Sequence, residues 1–240
     1  MTIIRFSFFK NTCLPQYCGT IYASKFITLA LPINKPMLNK FYFLLFFCCV
    51  AVYAQQTGKI SHFSAGLSYG NGSEFSNTDY TYSNNYIQGQ IYYTLNPGNK
   101  WEYQVALQPE MNFARHRLKN LYFVTPNDPR YIEKREEYTR LKDIREYILN
   151  VAFFVRRNFG ENFSIYAMGN VGPMITDTET ERLTKGFAFC DVFAIGITYK
   201  IGDIILDIRP NVRHTSNAGL QQSNAGFNTR NIAFGVIVPL

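Results

Sequence analysis

The chain has 240 residues, of which 16% are aromatic and only 17% charged, with a formal net charge of +7 and a mean hydropathy of −0.13. So little charge excludes a disordered chain or a coiled coil, and near-neutral hydropathy excludes a bundle of membrane-spanning helices. The positive balance is concentrated in residues 1–54, which hold Arg5, Lys10, Lys25, Lys35 and Lys40 and no acid, so the rest lacks the concentrated basic surface of a nucleic-acid binder.

Residues 1–54 read as a leader. Met37 to Lys40 supplies a short basic start, Phe41 to Val52 an apolar run, and Val52-Tyr53-Ala54 a small-residue cleavage site. The run is too short for a membrane-spanning helix, which takes about 20 apolar residues. Cleavage would leave Gln55 as the mature N-terminus, and residues 1–36 read as an upstream start-site artefact because Met37 alone begins a complete signal. Cys13, Cys18, Cys48 and Cys49 leave with the leader, so Cys190 has no intrachain disulfide partner.

Residues 55–240 read as one all-β domain of eight antiparallel strands. The expected strands are 60–70, 86–95, 101–113, 144–156, 162–174, 187–200, 203–216 and 229–240. The third shows the period best: Trp101, Tyr103, Val105, Leu107, Met111 and Phe113 share one face, and Glu102, Gln104, Gln108, Glu110 and Asn112 the other. Tight turns at Asn96 to Lys100, Asn158 to Asn162 and Ile201-Gly202 alternate with long polar loops at 71–85, 114–143, 175–186 and 217–228. Strands of that length joined alternately by short and long connections predict a transmembrane barrel of the bacterial outer membrane, the soluble alternative being a secreted barrel or sandwich. Arg130 to Asp143 mixes both signs and reads as a solvated loop flank. His62 reads as a strand residue and His116 as a loop residue, and no Cys/His cluster has zinc spacing.

The seventh strand carries the chemistry. Asp203, Ile205, Asp207, Arg209, Asn211 and Arg213, mostly polar or charged, fall on one face, and the apolar Ile204, Leu206, Ile208, Pro210 and Val212 on the other. In a barrel the apolar set faces lipid. His214 and Ser216 continue that set, side by side at the end leading into the loop 217–228. A base beside a hydroxyl is the minimum for an activated serine nucleophile, whereas two interfacial polar residues contacting headgroups would look the same. With the mature N-terminus in the periplasm and an even strand count, that end lies outside the cell. If Ile201-Gly202 is a two-residue hairpin, Phe189 faces His214, and Asp191 faces Val212, diagonal to His214 on the outer surface.

Arg213-His-Thr-Ser-Asn-Ala-Gly219, followed by Asn224-Ala-Gly226 and a terminal strand, resembles the lipid A 3-O-deacylase family (PagL-like, related to acyloxyacyl hydrolases); Gly169-Asn-Val-Gly-Pro173 is similar to its mid-chain glycine signature. The resemblance implies an outer-membrane barrel acting on lipid A or lipopolysaccharide, with His214 as general base and Ser216 as nucleophile. It also implies an oxyanion hole from the Asn217 side chain and the Gly219 backbone N–H. Water completes such a reaction, and no cofactor or metal is implied. One position departs from the pattern. The family places a glutamate fourteen residues after the histidine; here that residue is Asn228, and no acid occurs from Ile208 to Leu240. Asn228 or Asp191 is therefore the candidate to orient His214. A non-catalytic barrel and a phospholipase-like enzyme are the competing functions. A homodimer is compatible with the sequence.

Overall fold

A computed structural model describes residues 61–75 and 77–240; the expected leader, its cleavage point and the mature N-terminus lie outside the described residues. Eight strands follow in chain order: β1 Phe63–Glu74, β2 Tyr80–Thr94, β3 Trp101–Leu118, β4 Lys142–Phe159, β5 Phe163–Thr176, β6 Gly186–Ile201, β7 Ile204–Ser216 and β8 Phe227–Pro239. Each pairs antiparallel with the next, and β1 pairs with β8, so the sheet closes into the expected eight-stranded barrel with no free edge.

Burial alternates strictly along the strands, and its polarity is the inverse of a water-soluble barrel. Leu107, Val151, Phe153, Phe193 and Ile195 point outward and are exposed, whereas Gln88, Glu110, Asn112, Glu146, Asp207, Arg209 and Arg213 point inward and are buried. Eight strands enclose a lumen just wide enough for side chains to fill. Tyr92, Phe154 and Tyr166 pack edge-on and tilted across one half, with ring centroids 5.3 and 5.4 Å apart. The other half is a polar network. Tyr82 Oη donates to Glu146 Oε1 at 3.1 Å, and Asn112 Nδ2 to Glu146 Oε2 at 2.7 Å. Gln88 Nε2 donates to Glu110 Oε2 at 2.7 Å. Arg213 Nη2 lies 2.6 Å from Glu110 Oε1, close in distance though not aligned as a hydrogen bond. Buried charges survive only when paired in this way.

Several strands run further into the long-loop end than the alternation predicts. In β2 and β3 the outward residues there are polar (Ser83, Asn85, Arg115, Arg117) while Tyr80, Tyr82, Ala114 and Leu118 point inward, so the alternation reverses its polarity while the pairing continues from Tyr80↔Leu118. His116 is consequently a strand residue and not a loop residue. It is fully buried in the lumen, its Nδ1 3.0 Å from Thr81 O and its Nε2 2.9 Å from Glu181 Oε2. His62 directly precedes β1 and bonds Thr94 O at 2.7 Å.

The mixed-sign stretch is also more ordered than a solvated loop. It contains an eight-residue helix, α1, Tyr131–Tyr138, after a 3-10 turn at Leu121–Phe123. Tyr138 is buried against Leu118 and Val124, and burial raises its phenol above the ordinary tyrosine range, keeping the O–H as donor to Glu179 at 3.3 Å. Within the expected glycine signature, Gly172 packs directly on β4. A Cβ there would stand 2.2 Å from Leu149 O, so only glycine allows the strands to meet.

Candidate active site

The β6–β7 hairpin turns one residue later than the sequence suggests. Ile201 pairs with Ile204, leaving Gly202 and Asp203 at the turn, where Gly202 adopts φ +59. The correction moves every partner on β6. Phe189 faces Ser216 and not His214, and Asp191 lies directly opposite His214 and not opposite Val212. The β5–β6 pairing runs without a bulge from Phe163↔Tyr199 to Thr176↔Gly186, so nothing turns Asp191 inward. It stands exposed on the outer wall between Phe189 and Phe193.

His214 is therefore flanked on both sides along one row, by Asp191 on β6 and Asn228 on β8. Residues directly opposite across antiparallel strands have Cβ atoms about 4.5–5.5 Å apart. The partners differ in what they do. His214 Nδ1 lies 2.8 Å from Asn228 Oδ1, and because an amide oxygen can only accept, Nδ1 carries the hydrogen. Nε2 is left with its lone pair, the tautomer a general base needs. Asp191 makes neither a hydrogen bond nor an ion pair with His214 among the described residues.

Ser216 is two residues on, on the same outward face and partly exposed, with Cα atoms about 6.5 Å apart for such a pair. Among the described residues no hydrogen bond joins Ser216 Oγ to His214. A base and a nucleophile commonly draw together only when substrate is bound.

The segment beyond Ser216 is ordered by other contacts. Asn217 is fully buried on the lumen side; its Nδ2 donates to Ser223 O at 2.8 Å and its Oδ1 accepts from the Gly219 N–H at 3.1 Å. Its backbone N–H donates to Asn224 Oδ1 at 2.7 Å. Both donors expected at an oxyanion hole are thus engaged within the loop. Ala218 and Gly219, at φ 53 and 79, make the sharp turn that permits these bonds.

One clamp was not anticipated from the sequence. Arg182 Nε donates to Gly226 O at 2.6 Å and its Nη2 to Ala225 O at 3.2 Å, while its guanidinium sits 4.3 Å above the Tyr80 ring. Thr184 and Ser223 exchange bonds beside it, at 3.3 and 3.2 Å, so the loops 177–185 and 217–226 are laced together. No sequence spacing links residues so far apart. Arg230 was likewise not singled out from the sequence, although the alternation carries a signal for it. It follows Asn228 on the outward face of β8, a cation where the alternation calls for an apolar residue. Among the described residues no cluster of His, Cys, Asp or Glu could hold a metal ion.

The profile of the family described as lipid A 3-O-deacylase (PagL) matches residues 101–236. A crystal structure of the outer membrane enzyme PagL aligns at a TM-score of 0.48 and 12% identity, covering 73% of this chain and 99% of that one. Neisserial surface protein A aligns at 0.46 and 11% identity, over 75% and 98% of the two chains. The outer membrane protein Ail of Yersinia pestis aligns at 0.35 and 11%, over 72% and 98%. Curated proteins give no match by sequence.

Proposed function

The chain belongs to the lipid A 3-O-deacylase (PagL) family, and from that premise we propose that it is an outer-membrane serine esterase that cuts an ester-linked 3-hydroxyacyl chain from lipid A, its long loops facing the outside of the cell. The observation that carries this reading is the row on the outer wall in which Asn228 holds His214 in the tautomer of a base, one outward position from Ser216.

In the proposed reaction His214 Nε2 takes the proton of Ser216 Oγ as the oxygen attacks the ester carbonyl. The tetrahedral intermediate collapses, the C–O bond to the sugar breaks, and the leaving oxygen receives the proton from His214. Water, deprotonated by the same nitrogen, then attacks the acyl-serine, releasing the 3-hydroxy fatty acid and restoring Ser216. We assign the oxyanion role to Asn217 and Gly219. The Gly219 N–H must leave Asn217 Oδ1 and the buried Asn217 amide must turn outward to serve, so loop 217–226 shifts as substrate enters. The outward placement suits this chemistry, because acyl chains lie against the barrel wall and the scissile ester lies near the headgroup.

Mass spectrometry of lipid A from cells with and without the protein tests the proposal. The expected product lacks one hydroxyacyl chain. Fatty acid released from phospholipid instead would point to a phospholipase. Unchanged lipids would favour a non-catalytic barrel, the reading that gains from a neutral amide standing where the family has a carboxylate.

The division of labour at His214 gives a second expectation under the same assay. Asn228→Ala is expected to lower the rate by about 10- to 1,000-fold, bounded by the roughly 10,000-fold cost of losing the charged partner in serine proteases. Asn228→Glu is expected to raise it. Asp191→Asn, which keeps shape and removes charge from an exposed position, should cost no more than about tenfold. Wild-type rates in both Asn228→Ala and Asp191→Asn would reduce the machinery to a Ser–His dyad.

A further inference from the structure

His214 stands on a boundary that runs around the barrel wall. Toward β5 and β6 the outward residues of the long-loop half are apolar (Val171, Ile175, Phe187 and Phe189) apart from Asp191, which faces His214. Toward β8, β1 and β2 they are polar. Arg230 on β8 pairs with Ser73 on β1, Ser73 pairs with Ser83 on β2, and Asn71 and Asn85 lie beside them. Arg230 is the only Lys or Arg on the outward faces of β7, β8, β1 and β2. Its guanidinium has neither a hydrogen bond nor an ion pair among the described residues. The next outward residues along β8 are Ile232, Phe234 and Val236, so Arg230 marks the inner limit of the polar strip, against the apolar band. A guanidinium at the edge of lipid is costly unless an anion from the lipid itself meets it, and its planar fork matches phosphate oxygens two at a time.

We propose that Arg230, with the Ser73–Ser83 row, is a subsite for the phosphorylated sugar headgroup of a glycolipid. Arg230 holds a phosphate, and the hydroxyl and amide side chains of β1 and β2 hold sugar hydroxyls. Arg230 pairs with Val212, which directly precedes His214 in the outward set of β7. A headgroup docked on the strip, with acyl chains on the apolar side, therefore brings their junction to His214 and Ser216, and that junction is where an acyl ester lies. The inference rests on the lipid A reading for its ligand, though binding itself needs no turnover.

The test uses the full barrel carrying Ser216→Ala, in neutral-detergent micelles, so that hydrolysis does not alter the ligand during titration. Calorimetry compares bisphosphorylated lipid A, the same lipid A stripped of phosphate, and phosphatidylglycerol. Bisphosphorylated lipid A is expected to bind about tenfold tighter than the stripped form, a difference that Arg230→Ala abolishes and Arg230→Lys partly keeps. Phosphatidylglycerol is expected to bind no tighter than stripped lipid A. Equal affinity for the two lipid A forms, or a difference that survives Arg230→Ala, overturns the subsite. Equally tight binding of phosphatidylglycerol also overturns it, making Arg230 a general headgroup contact. The comparison of ligands on the Arg230-containing barrel decides the matter even if an Arg230 variant fails to fold. Phosphate-dependent binding by a barrel whose Ser216 form leaves lipid A intact would keep the subsite and sink the esterase; deacylation indifferent to phosphate would do the reverse.

Discussion

Ser216→Ala and His214→Ala are each expected to abolish lipid A deacylation, by at least about a thousandfold, and the double variant should be no worse than either alone. Nucleophile and base act as a unit, so removing one leaves the other nothing to do. Neither side chain is buried in the lumen or carries part of the polar network, so both variants should form the closed barrel and keep the faster gel migration of an unboiled outer-membrane protein. Product analysis of lipid A incubated with each purified variant gives the answer. Undiminished activity in Ser216→Ala would remove serine catalysis from consideration. A loss in His214→Ala alone would leave histidine activating water directly.

The largest effect on stability is expected inside the barrel. Glu110 and Arg213 are buried together, Glu110 also accepts from Gln88, and Arg213 lies 4.5 Å over the Tyr86 ring. Removing one partner strands a charge away from water. Glu110→Ala should therefore cost about 3–5 kcal/mol of unfolding free energy, whereas replacing both residues with apolar ones of similar volume should recover most of that loss. Urea unfolding in micelles, followed by circular dichroism and gel mobility, compares the single and double variants. Equal losses in the two would mean that the pair's partners, and not an uncompensated charge, set the cost. Because Arg213 immediately precedes His214, the single variant should also loosen the base and slow deacylation.

The fold was legible because lipid imposes one rule on every strand: outward residues apolar, inward residues free to be polar. Trp101 to Phe113 obeys it without interruption, and three of the four expected long loops followed from the same reading; the fourth, 71–85, is mostly strand, because β1 runs to Glu74 and β2 starts at Tyr80. The rule lapses where the wall rises beyond the apolar band. Tyr80 to Asn85 and Arg115 to Leu118 are strands whose alternation is inverted, polar residues outward and Tyr80, Tyr82 and Leu118 inward, so a reading that looks for outward apolar residues stops short of them. His116 was misplaced for that reason.

At the candidate site, His214 and Ser216 could be placed on the outer face from the alternation of β7, whereas Asn228 was reached through the family resemblance alone and its place opposite His214 comes from the β7–β8 pairing. The position of Asp191 could not be fixed in the same way. It depends on which residues occupy a two-residue turn, and Ile201-Gly202 and Gly202-Asp203 differ by a shift that sequence scarcely distinguishes. Asn217 shows a further limit. Its residue type fits an oxyanion donor, but its hydrogen-bond partners come from Ser223 and Asn224, which only the folded loop brings near.

The seam between β1 and β8 has a consequence for when this chemistry becomes possible. Arg230 meets Ser73 only across that seam, and the row through Asp191, His214 and Asn228 ends at Phe75, whose N–H donates to Asn228 O at 3.3 Å. The first and last strands of the chain must therefore join before the wall around His214 is continuous. A newly made polypeptide on its way to the outer membrane carries every residue of the row and none of its surface. On the proposed esterase reading, insertion would therefore have to precede any attack on the glycolipids that the chain passes in transit.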